Sequence, residues 1–291
     1  MSNIKIIRNK YNLDFKSFVF PAGEVSVKLN LNSTAYSAKT NFFAASDHQT
    51  IIAKIKNSND VLELAMITNA LRKIDNTPIY LLMPYCPYSR QDRVCDKGES
   101  FSLKVFADFI NSLRFEQVCI VDPHSNVIEA VFNNLQIITQ FQIINEWTDF
   151  ITKICKNKGV KFISPDAGSN KKTSEIAGFF QHTDFIRADK LRDLTNGNIK
   201  ETIVYCDDFN QKDVVCVDDL CDGGKTFTEL AKVCKSKNCS KFILYVTHGI
   251  FSKGIDILIE NGIDEIWTTD SFYSGNDSRV NVLKLEEKIE T

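Results

Sequence analysis

Short apolar segments alternate with amphipathic helical patterns along most of the chain. The segments that predict strands are YLLM at 80–83, VCIVD at 118–122, KFIS at 161–164, DVVCV at 213–217 and KFILYV at 241–246. Helical spacing of apolar residues is found at Leu103, Phe106, Phe109, Ile110 and Leu113, and again at Phe227, Leu230, Ala231 and Cys234. A further helical pattern covers residues 142–157. This alternation predicts an α/β fold with mainly parallel central sheets flanked by helices.

The length and the pattern together predict two domains. A chain of 291 residues, of which 43% are hydrophobic, can bury more than one ordinary core. A boundary near residues 140–146 separates two βαβ halves, so we place an N-terminal domain at 1–143 and a C-terminal domain at 144–291. This division predicts an active site between the two domains.

The charge balance and the cysteines narrow the classes of partner. A net charge of −2 and a sequence pI near 6.1 give no reason to expect nucleic acid or an anionic membrane. Nine cysteines are scattered without a C-x-x-C pair, no apolar leader opens the chain, and no apolar run approaches the length of a membrane span. We therefore expect a cytoplasmic protein with reduced, mostly buried thiols.

Polar clusters follow three of the predicted strands. They are VDPHS at 121–125, SPDAGSNKKT at 164–173 and VDDLCDGGKT at 217–226. In open parallel sheets, ligands bind beyond the carboxyl ends of the strands, so these clusters are expected to line a site. The longest polar run between apolar segments, RADKLRDLTNGNIKET at 187–202, predicts a mobile loop.

The third cluster has the chemistry of a sugar-phosphate site. Gly223 and Gly224 allow the backbone to turn tightly toward an anion, and a helix starting near Lys225 offers unpaired N–H groups. Asp218 and Asp219 can accept hydrogen bonds from vicinal hydroxyls or hold Mg²⁺. An ordinary strand-to-helix turn with an Asp N-cap is the plainer interpretation of the same letters. The stretch lacks the earlier glycine of a nucleotide-hydrolase P-loop.

Other polar residues point to phosphate chemistry as well. Arg90, in PYCPYSRQDR at 84–93, can stack on a base and bind phosphate oxygens with its planar fork. His124 can ligate a metal or contact a phosphate. Lys190 and Arg192 can stabilise the charge on a transferring phosphoryl group. Taken singly, each of these residues has an ordinary structural or solvated interpretation.

Eight stretches along the chain carry a pattern more specific than any single motif. They are FPAGEVSVKL at 20–29, SNDVLELAMITNALRK at 58–73, MPYCPYSRQDR at 83–93, VDPHS at 121–125, SPDAGSNKK at 164–172, DK-LR at 189–192, VDDLCDGGKT at 217–226 and YVTHGIFSKG at 245–254. Together and in this order they resemble the ribose-phosphate pyrophosphokinases, also called phosphoribosyl pyrophosphate synthetases. The resemblance covers nearly the whole chain.

This resemblance implies a fold, a reaction and an assembly. The fold is two phosphoribosyltransferase-like α/β domains. In the reaction, which depends on Mg²⁺, ATP gives its β,γ-diphosphoryl group to the 1-hydroxyl of ribose 5-phosphate and leaves as AMP. The assembly is a homo-oligomer, either a dimer or a hexamer built on dimers.

The resemblance also implies roles for residues of the N-terminal half. Phe20 and Glu24 take the place of adenine contacts, which relatives make across a subunit interface. Arg90 and Gln91 take the place of ATP contacts, and His124 that of a Mg²⁺–ATP ligand.

In the C-terminal half, Asp166 lies at a position tied to metal and ribose, and Lys190 with Arg192 is similar to the catalytic lid pair. The residues that match the family's sugar-phosphate site are Asp218, Asp219, Asp222, Gly223, Gly224, Lys225 and Thr226.

Departures from the family pattern leave the acceptor open. The family's D-T-G-G-T loop is D-G-G-K-T at 222–226 here, so a hydroxyl is lost at Gly223 and a cation is gained at Lys225. This change suits a larger, more anionic 5-substituent such as that of ADP-ribose, a substrate of NAD-related metabolism that some relatives pyrophosphorylate. A compensated ribose 5-phosphate site fits the change too. Ser169 replaces the second glycine of the family's pattern in SPDAGS.

Two other functions compete with this one. The first is a non-catalytic paralogue that regulates a true synthetase, against which the retained acidic residues and the cationic pair Lys190 and Arg192 argue. The second is a phosphoribosyltransferase, which needs the phosphate loop and the carboxylate pair but no ATP site. PYCPYSRQDR and the N-terminal FPAGE stretch argue against it.

Overall fold

The computed structural model describes residues 2–8, 11–31, 48–157, 159–182, 185–192 and 199–285. The chain divides into two compact units, Met1–Ile138 and Thr139–Thr291. The boundary at residues 143 and 144 and the roles of the two domains, taken from the sequence, stay predictions.

The first unit is built around a mixed sheet. Its strands in the described residues are β1 Ile4–Arg8, β2 Tyr11–Asn12, β3 Phe15–Val19, β4 Val25–Leu29, β5 Gln49–Ala53, β6 Ile79–Met83, β7 Gln117–Val121 and β8 Leu135–Ile138. The sheet order is β2-β1-β5-β6-β7-β8, and β5 to β8 pair in parallel, whereas β1 pairs antiparallel with both of its neighbours. Strands β3 and β4 form a separate antiparallel hairpin.

The helices of the first unit follow from helical spacing and local caps. They are α1 Ser58–Ile74, α2 Ser102–Ser112 and α3 Val127–Val131. Helix α1 starts with a capping box, in which the Asn57 side chain accepts from the N–H of Asp60 and the Asp60 carboxylate accepts from the N–H of Asn57. Leu64, Ile67 and Leu71 on one face of α1 are fully buried in the core of this unit.

The second unit is built around a longer sheet that is almost all parallel. Its strands in the described residues are β9 Lys161–Ser164, β10 Phe185–Arg192, β11 Ile199–Val204, β12 Val214–Cys221, β13 Phe242–Gly249, β14 Glu265–Thr269 and β15 Val280–Leu283. The order is β11-β10-β9-β12-β13-β14-β15, and only β10 with β11 is antiparallel among these pairs. The strands at the centre of the sheet are apolar and buried, as is usual for parallel sheets covered on both faces.

The helical segments of the second unit include one that differs from its prediction. They are α4 Gln140–Asn145, α5 Thr148–Phe150, a π-helix at Ile151–Cys155, a 3₁₀ turn at Ala167–Ser169, α6 Asn170–Phe179, α7 Lys225–Ser236 and α8 Asp256–Ile259. The single helix predicted at 142–157 is therefore interrupted after α4. At the interruption the Trp147 ring packs edge-on against Trp267, with ring centroids 5.1 Å apart, so burial of this aromatic side chain accompanies the break.

Two further predictions are corrected by the strand boundaries. The run at 187–202 is not a loop throughout, because β10 extends to Arg192 and β11 begins at Ile199, and the two pair antiparallel. Backbone pairing overrides the polar side chains there, since the first half of β10 bonds to β9 and the second half to β11. The strand predicted at 213–217 continues to Cys221, so it includes Asp218 and Asp219.

Across the described residues, no helix combines the length and the apolar character needed to cross a bilayer. All nine cysteines are free thiols, and most of them are buried.

Candidate active site

A lysine is held against a carboxylate beyond the end of β9. Lys190 lies on β10, three residues past the position that pairs with the end of β9, and its Nζ donates to Oδ2 of Asp166 over 2.7 Å. The Lys190 side chain is only 8% exposed, against 36% for Asp166. Burial raises the pKa of the Asp166 carboxyl, but Lys190 and the donors of Ser169 lower it by more, so the net pKa lies below its ordinary value. A charge pair is therefore already formed at this position.

Ser169 links this carboxylate to a second one. Its backbone N–H and its hydroxyl both reach Oδ1 of Asp166, at 3.2 and 3.3 Å, and the same Oγ lies 3.0 Å from Oδ1 of Asp218. Ser169 is 8% exposed. One hydroxyl has one proton to donate, so it favours whichever carboxylate carries the greater negative charge. The Ser169 hydroxyl therefore bridges the carboxylates of Asp166 and Asp218.

Asp218 is a partly buried carboxyl that is fixed from several sides. The N–H of Asp219 donates to Oδ1 of Asp218 over 3.0 Å, and Nε2 of the buried Gln140 donates to the Asp218 carbonyl over 2.6 Å. Burial raises the pKa of the Asp218 carboxyl well above its ordinary value, and the nearby charges of Asp219 and Asp166 raise it further. Such a group favours ligands that donate hydrogen bonds or bring positive charge.

The turn that follows β12 is tied to the next loop by its backbone. The carbonyl of Cys221 accepts from the N–H groups of Ile250 and Phe251, at 2.9 and 3.1 Å, and that of Asp222 accepts from Ser252 at 3.2 Å. Helix α7 begins directly after this turn, and its N-cap residue, Gly224, has no side chain that could cap the first N–H groups. The turn therefore presents backbone donors and the positive end of a helix dipole, which suits an anion.

Gly224 shapes the start of α7. Its φ is +77°, in the left-handed region, and a Cβ there would lie 2.4 Å from Cδ2 of Leu258. Both the backbone conformation and the space around Gly224 thus favour glycine. The neighbouring Lys225 and Asp222 are exposed.

In the first unit, Asp92 connects the two predicted ATP motifs. Its carboxylate accepts from Nε and Nη2 of Arg93, at 2.7 and 3.0 Å. The Arg93 hydrogen bonds lower the pKa of Asp92 to about 2, although burial opposes them, and the charge of His124 lowers it too. The stretch with Arg90 and the stretch with His124 are therefore neighbours across Asp92.

The remaining candidates of the first unit lie on its surface. Arg90, Gln91 and His124 are exposed, as ligand contacts in an open site are expected to be. Phe20 and Glu24 flank the turn of the β3–β4 hairpin, where the N–H of Phe20 donates to the carbonyl of Glu24 over 2.8 Å. Phe20 is 51% exposed, so its ring is available to stack on another surface.

Sequence reasoning found some members of this site and missed others. The structure brings together Asp166, Lys190 and Asp218, which lie in three different motifs, and their roles stay predictions. The prediction placed Lys190 in a loop, whereas the structure places it in strand β10. The side chain of Arg192 is outside the described residues. The parts played by Ser169 and Gln140 were missed. The replacement of a family glycine by Ser169 was the available signal, whereas Gln140 carried none.

The acidic residues fit one kind of metal binding better than another. In the part of the chain that the structure describes, no three His, Cys, Asp or Glu side chains group as a metal cage. Mg²⁺ is often held by one or two carboxylates together with substrate phosphates and waters. Asp218 and Asp166 are oxygen donors of that type, although both oxygens of Asp166 already accept from Lys190 or Ser169. The residues therefore fit a Mg²⁺ ion that arrives with a polyphosphate.

Comparisons with known proteins agree with the resemblance seen in the motifs. A model of the N-terminal domain of ribose phosphate pyrophosphokinase matches residues 13–113. A ribose-phosphate pyrophosphokinase of Buchnera aphidicola is 31% identical over 273 residues, which cover 93% of this chain and 78% of that protein. One from Mycoplasmopsis pulmonis is 28% identical over 257 residues, covering 87% and 75%.

A solved structure supports the fold. The crystal structure of phosphoribosylpyrophosphate synthetase from Mycobacterium smegmatis matches with a TM-score of 0.79 and 18% identity, covering 95% of this chain and 88% of that one. At this identity the match bears on the fold, and the predicted α/β architecture is confirmed.

The pKa shifts predict opposite stability effects for two Asp→Asn changes. Because the pKa of Asp218 is raised, its ionisation in the folded state costs stability as pH rises from the ordinary aspartate value near 3.9. Asp218→Asn should therefore raise the free energy of unfolding at pH 7 and flatten its fall above pH 4. This is measured by urea denaturation over a pH series.

Asp92→Asn is the matched control with the opposite sign. The pKa of Asp92 is lowered to about 2, so its contribution is present above the unfolded value and lost as pH falls toward 2. This variant should be less stable than wild type at pH 7 and approach it at low pH. Equal destabilisation by both changes at pH 7 contradicts the assignment of Asp218 as a strained carboxyl.

Gly224→Ala should lower the free energy of unfolding by about 1–2 kcal/mol, since alanine at a left-handed φ is strained. Gly178→Ala is the control, because Gly178 lies within α6 and a Cβ there meets nothing within 4 Å. That change should raise the free energy of unfolding by roughly 0.5–1 kcal/mol. Both variants are measured by urea denaturation. A change of the same sign in the free energy of unfolding for both would refute the strain at Gly224.

Proposed function

The chain belongs to the ribose-phosphate pyrophosphokinase family, and from this premise we propose that it is an ATP-dependent diphosphotransferase. It transfers the β,γ-diphosphoryl group of ATP to the 1-hydroxyl of ribose 5-phosphate, giving phosphoribosyl pyrophosphate and AMP. The observation that carries the proposal is the Lys190–Asp166 pair, a cation held 2.7 Å from a carboxylate and linked through Ser169 to Asp218.

The acceptor is held by the turn after β12 and by the acidic residues before it. The backbone N–H groups at the start of α7 bind the 5-phosphate, in a turn that Gly224 keeps in the required conformation. Asp218 and Asp219 accept hydrogen bonds from the ribose hydroxyls. Hydroxyl donors relieve the mutual repulsion of these carboxyls, so binding of the sugar suits a site that is electrostatically strained without it.

Charge neutralisation and alignment account for the rate. The 1-hydroxyl is a weak nucleophile, and negative charge on the transferring group is spread over its oxygens, so a fixed cation lowers the barrier. Lys190 supplies that cation, and Asp166 holds it in a partly dry position. The resemblance assigns Arg192, on the same strand, to the same task.

The first unit binds the nucleotide. Arg90 and Gln91 contact ATP, and His124 contacts its Mg²⁺–phosphate group, while Asp92 keeps the two stretches adjacent. His124 and the carboxylate of Asp166 are the residues that would hold Mg²⁺ together with the ATP phosphates, and the ion would supply further neutralisation of phosphate charge. Asp166 would take part only if Lys190 or Ser169 released one of its carboxylate oxygens.

An oligomer completes this scheme. Phe20 and Glu24 lie at an exposed hairpin turn, and we propose that they contact the adenine bound by a second copy of the chain. The assembly is then a homo-oligomer, a dimer or a hexamer built on dimers.

ADP-ribose is a second candidate acceptor, favoured by one specific observation. At 222–226 the loop lacks a side chain at Gly223 and carries an exposed cation at Lys225. The chemistry at the ribose 1-hydroxyl is unchanged, and the additional phosphate of ADP-ribose lies where the added positive charge helps.

The reaction is tested by measuring AMP release from Mg²⁺–ATP with ribose 5-phosphate and, separately, with ADP-ribose, following the sugar product by mass. The proposal expects AMP only when an acceptor is present, and a product heavier by one diphosphoryl group. Binding of ATP without any acceptor-dependent AMP supports the non-catalytic paralogue instead. Consumption of phosphoribosyl pyrophosphate without ATP supports a phosphoribosyltransferase.

Lys190→Ala should lower kcat roughly a hundredfold or more while changing ATP binding little, because the cation acts mainly on the transition state. Steady-state kinetics and equilibrium binding of ATP separate the two effects. Lys212→Ala removes an exposed lysine that precedes β12, at the opposite end of that strand, and should leave kcat unchanged. A Lys190→Ala enzyme with near-normal kcat contradicts the assignment of Lys190.

A further inference from the structure

A second lysine lies along the proposed phosphate turn. A Cβ built on Gly223 would meet the methylene stem of Lys253, with Cε at 3.4 Å, Cδ at 3.6 Å and Cγ at 3.8 Å. The Lys253 side chain therefore runs beside the backbone of Gly223, where the family's loop carries a threonine side chain. A side chain at position 223 would therefore begin in van der Waals contact with the Lys253 stem.

Lys253 is tied to this turn by the backbone as well as by its stem. The segment just before it, residues 250–252, donates three hydrogen bonds to the carbonyls of Cys221 and Asp222. The N–H of Gly254, just after it, donates to the carbonyl of Phe251 over 2.9 Å, which closes a tight turn around Lys253. Backbone hydrogen bonds, as well as the packing of its side chain, thus fix the position of Lys253 relative to the proposed phosphate turn.

The ammonium groups of this region are available to a ligand. Lys253 and Lys225 are both exposed, and neither takes part in an ion pair among the residues that the structure describes. Asp222 is the acidic side chain of the same turn. The charges of Asp222 and Lys225 cancel formally, so Lys253 makes the turn positive overall.

We propose that Lys253 and Lys225 form a two-cation subsite for the second phosphate of an acceptor whose ribose carries a 5-diphosphate. This inference rests on the proposed function, because it takes the backbone of the turn as the site of the first phosphate. The backbone donors can hold one phosphate without side-chain charge, so two free cations beside them suit a further anionic group. Lys253 is then a specificity residue that favours ADP-ribose-like acceptors over ribose 5-phosphate.

The test compares both acceptors in three enzymes: wild type, Lys253→Ala and the control Lys212→Ala. For Lys253→Ala, kcat/KM with ADP-ribose should fall about tenfold, as for loss of one charged hydrogen bond, mainly through KM. With ribose 5-phosphate it should fall less than threefold. Lys253→Arg should retain the preference, and Lys212→Ala should match wild type with both acceptors.

Further variants and binding measurements separate the possible outcomes. Gly223→Thr with Lys225→Gly restores the family's loop letters and should shift the preference toward ribose 5-phosphate. Titration calorimetry with ADP-ribose and with ribose 5-phosphate checks binding apart from turnover. Equal losses with both acceptors in Lys253→Ala, or use of ribose 5-phosphate with no binding of ADP-ribose, overturn the inference and leave the proposed function standing. Failure of wild type to form AMP with either acceptor overturns both.

Discussion

Burial of a carboxyl group beside other carboxyl groups is the constraint on which the candidate acceptor site depends. Burial raises the pKa of the Asp218 carboxyl well above its ordinary value, and the charges of Asp219 and Asp166 raise it further. Lys190 offsets this repulsion with a direct ion pair to Asp166, and Ser169 with a hydroxyl between two carboxylates. The groups that stabilise this acidic cluster are the same ones that we propose to act on a phosphorylated sugar.

The proposed acceptor site carries a local cost in stability. A carboxyl with a raised pKa destabilises the folded state at neutral pH, and Asp218 has this character. Asp92 shows the reverse case, since its partner Arg93 lowers its pKa and the ionised form stabilises the structure. Two residues of one type thus serve different purposes, because their surroundings differ in burial and in nearby charge.

The turn after β12, which we propose to bind the 5-phosphate, is held by several elements at once. Its backbone bonds to residues 250–252, Gly224 leaves room for Leu258, and the stem of Lys253 runs beside Gly223. Positions at which this turn differs from the family's sequence therefore contact residues elsewhere in the second unit. The lost side chain at Gly223 and the lysine at 253 belong together in space, although thirty residues separate them in the chain.

By itself, the sequence determined the α/β class, the two helices with regular apolar spacing and the family, because periodicity and ordered motifs are local properties. It also located the polar clusters at strand ends, where parallel sheets place their ligands. Only the tertiary structure decided that residues 188–192 pair with residues 199–204 as antiparallel strands. It also decided that Lys190 meets Asp166 and that Ser169 and Gln140 donate hydrogen bonds to Asp218. Those contacts join residues far apart in the chain, so they depend on strand register and packing, which no local pattern specifies.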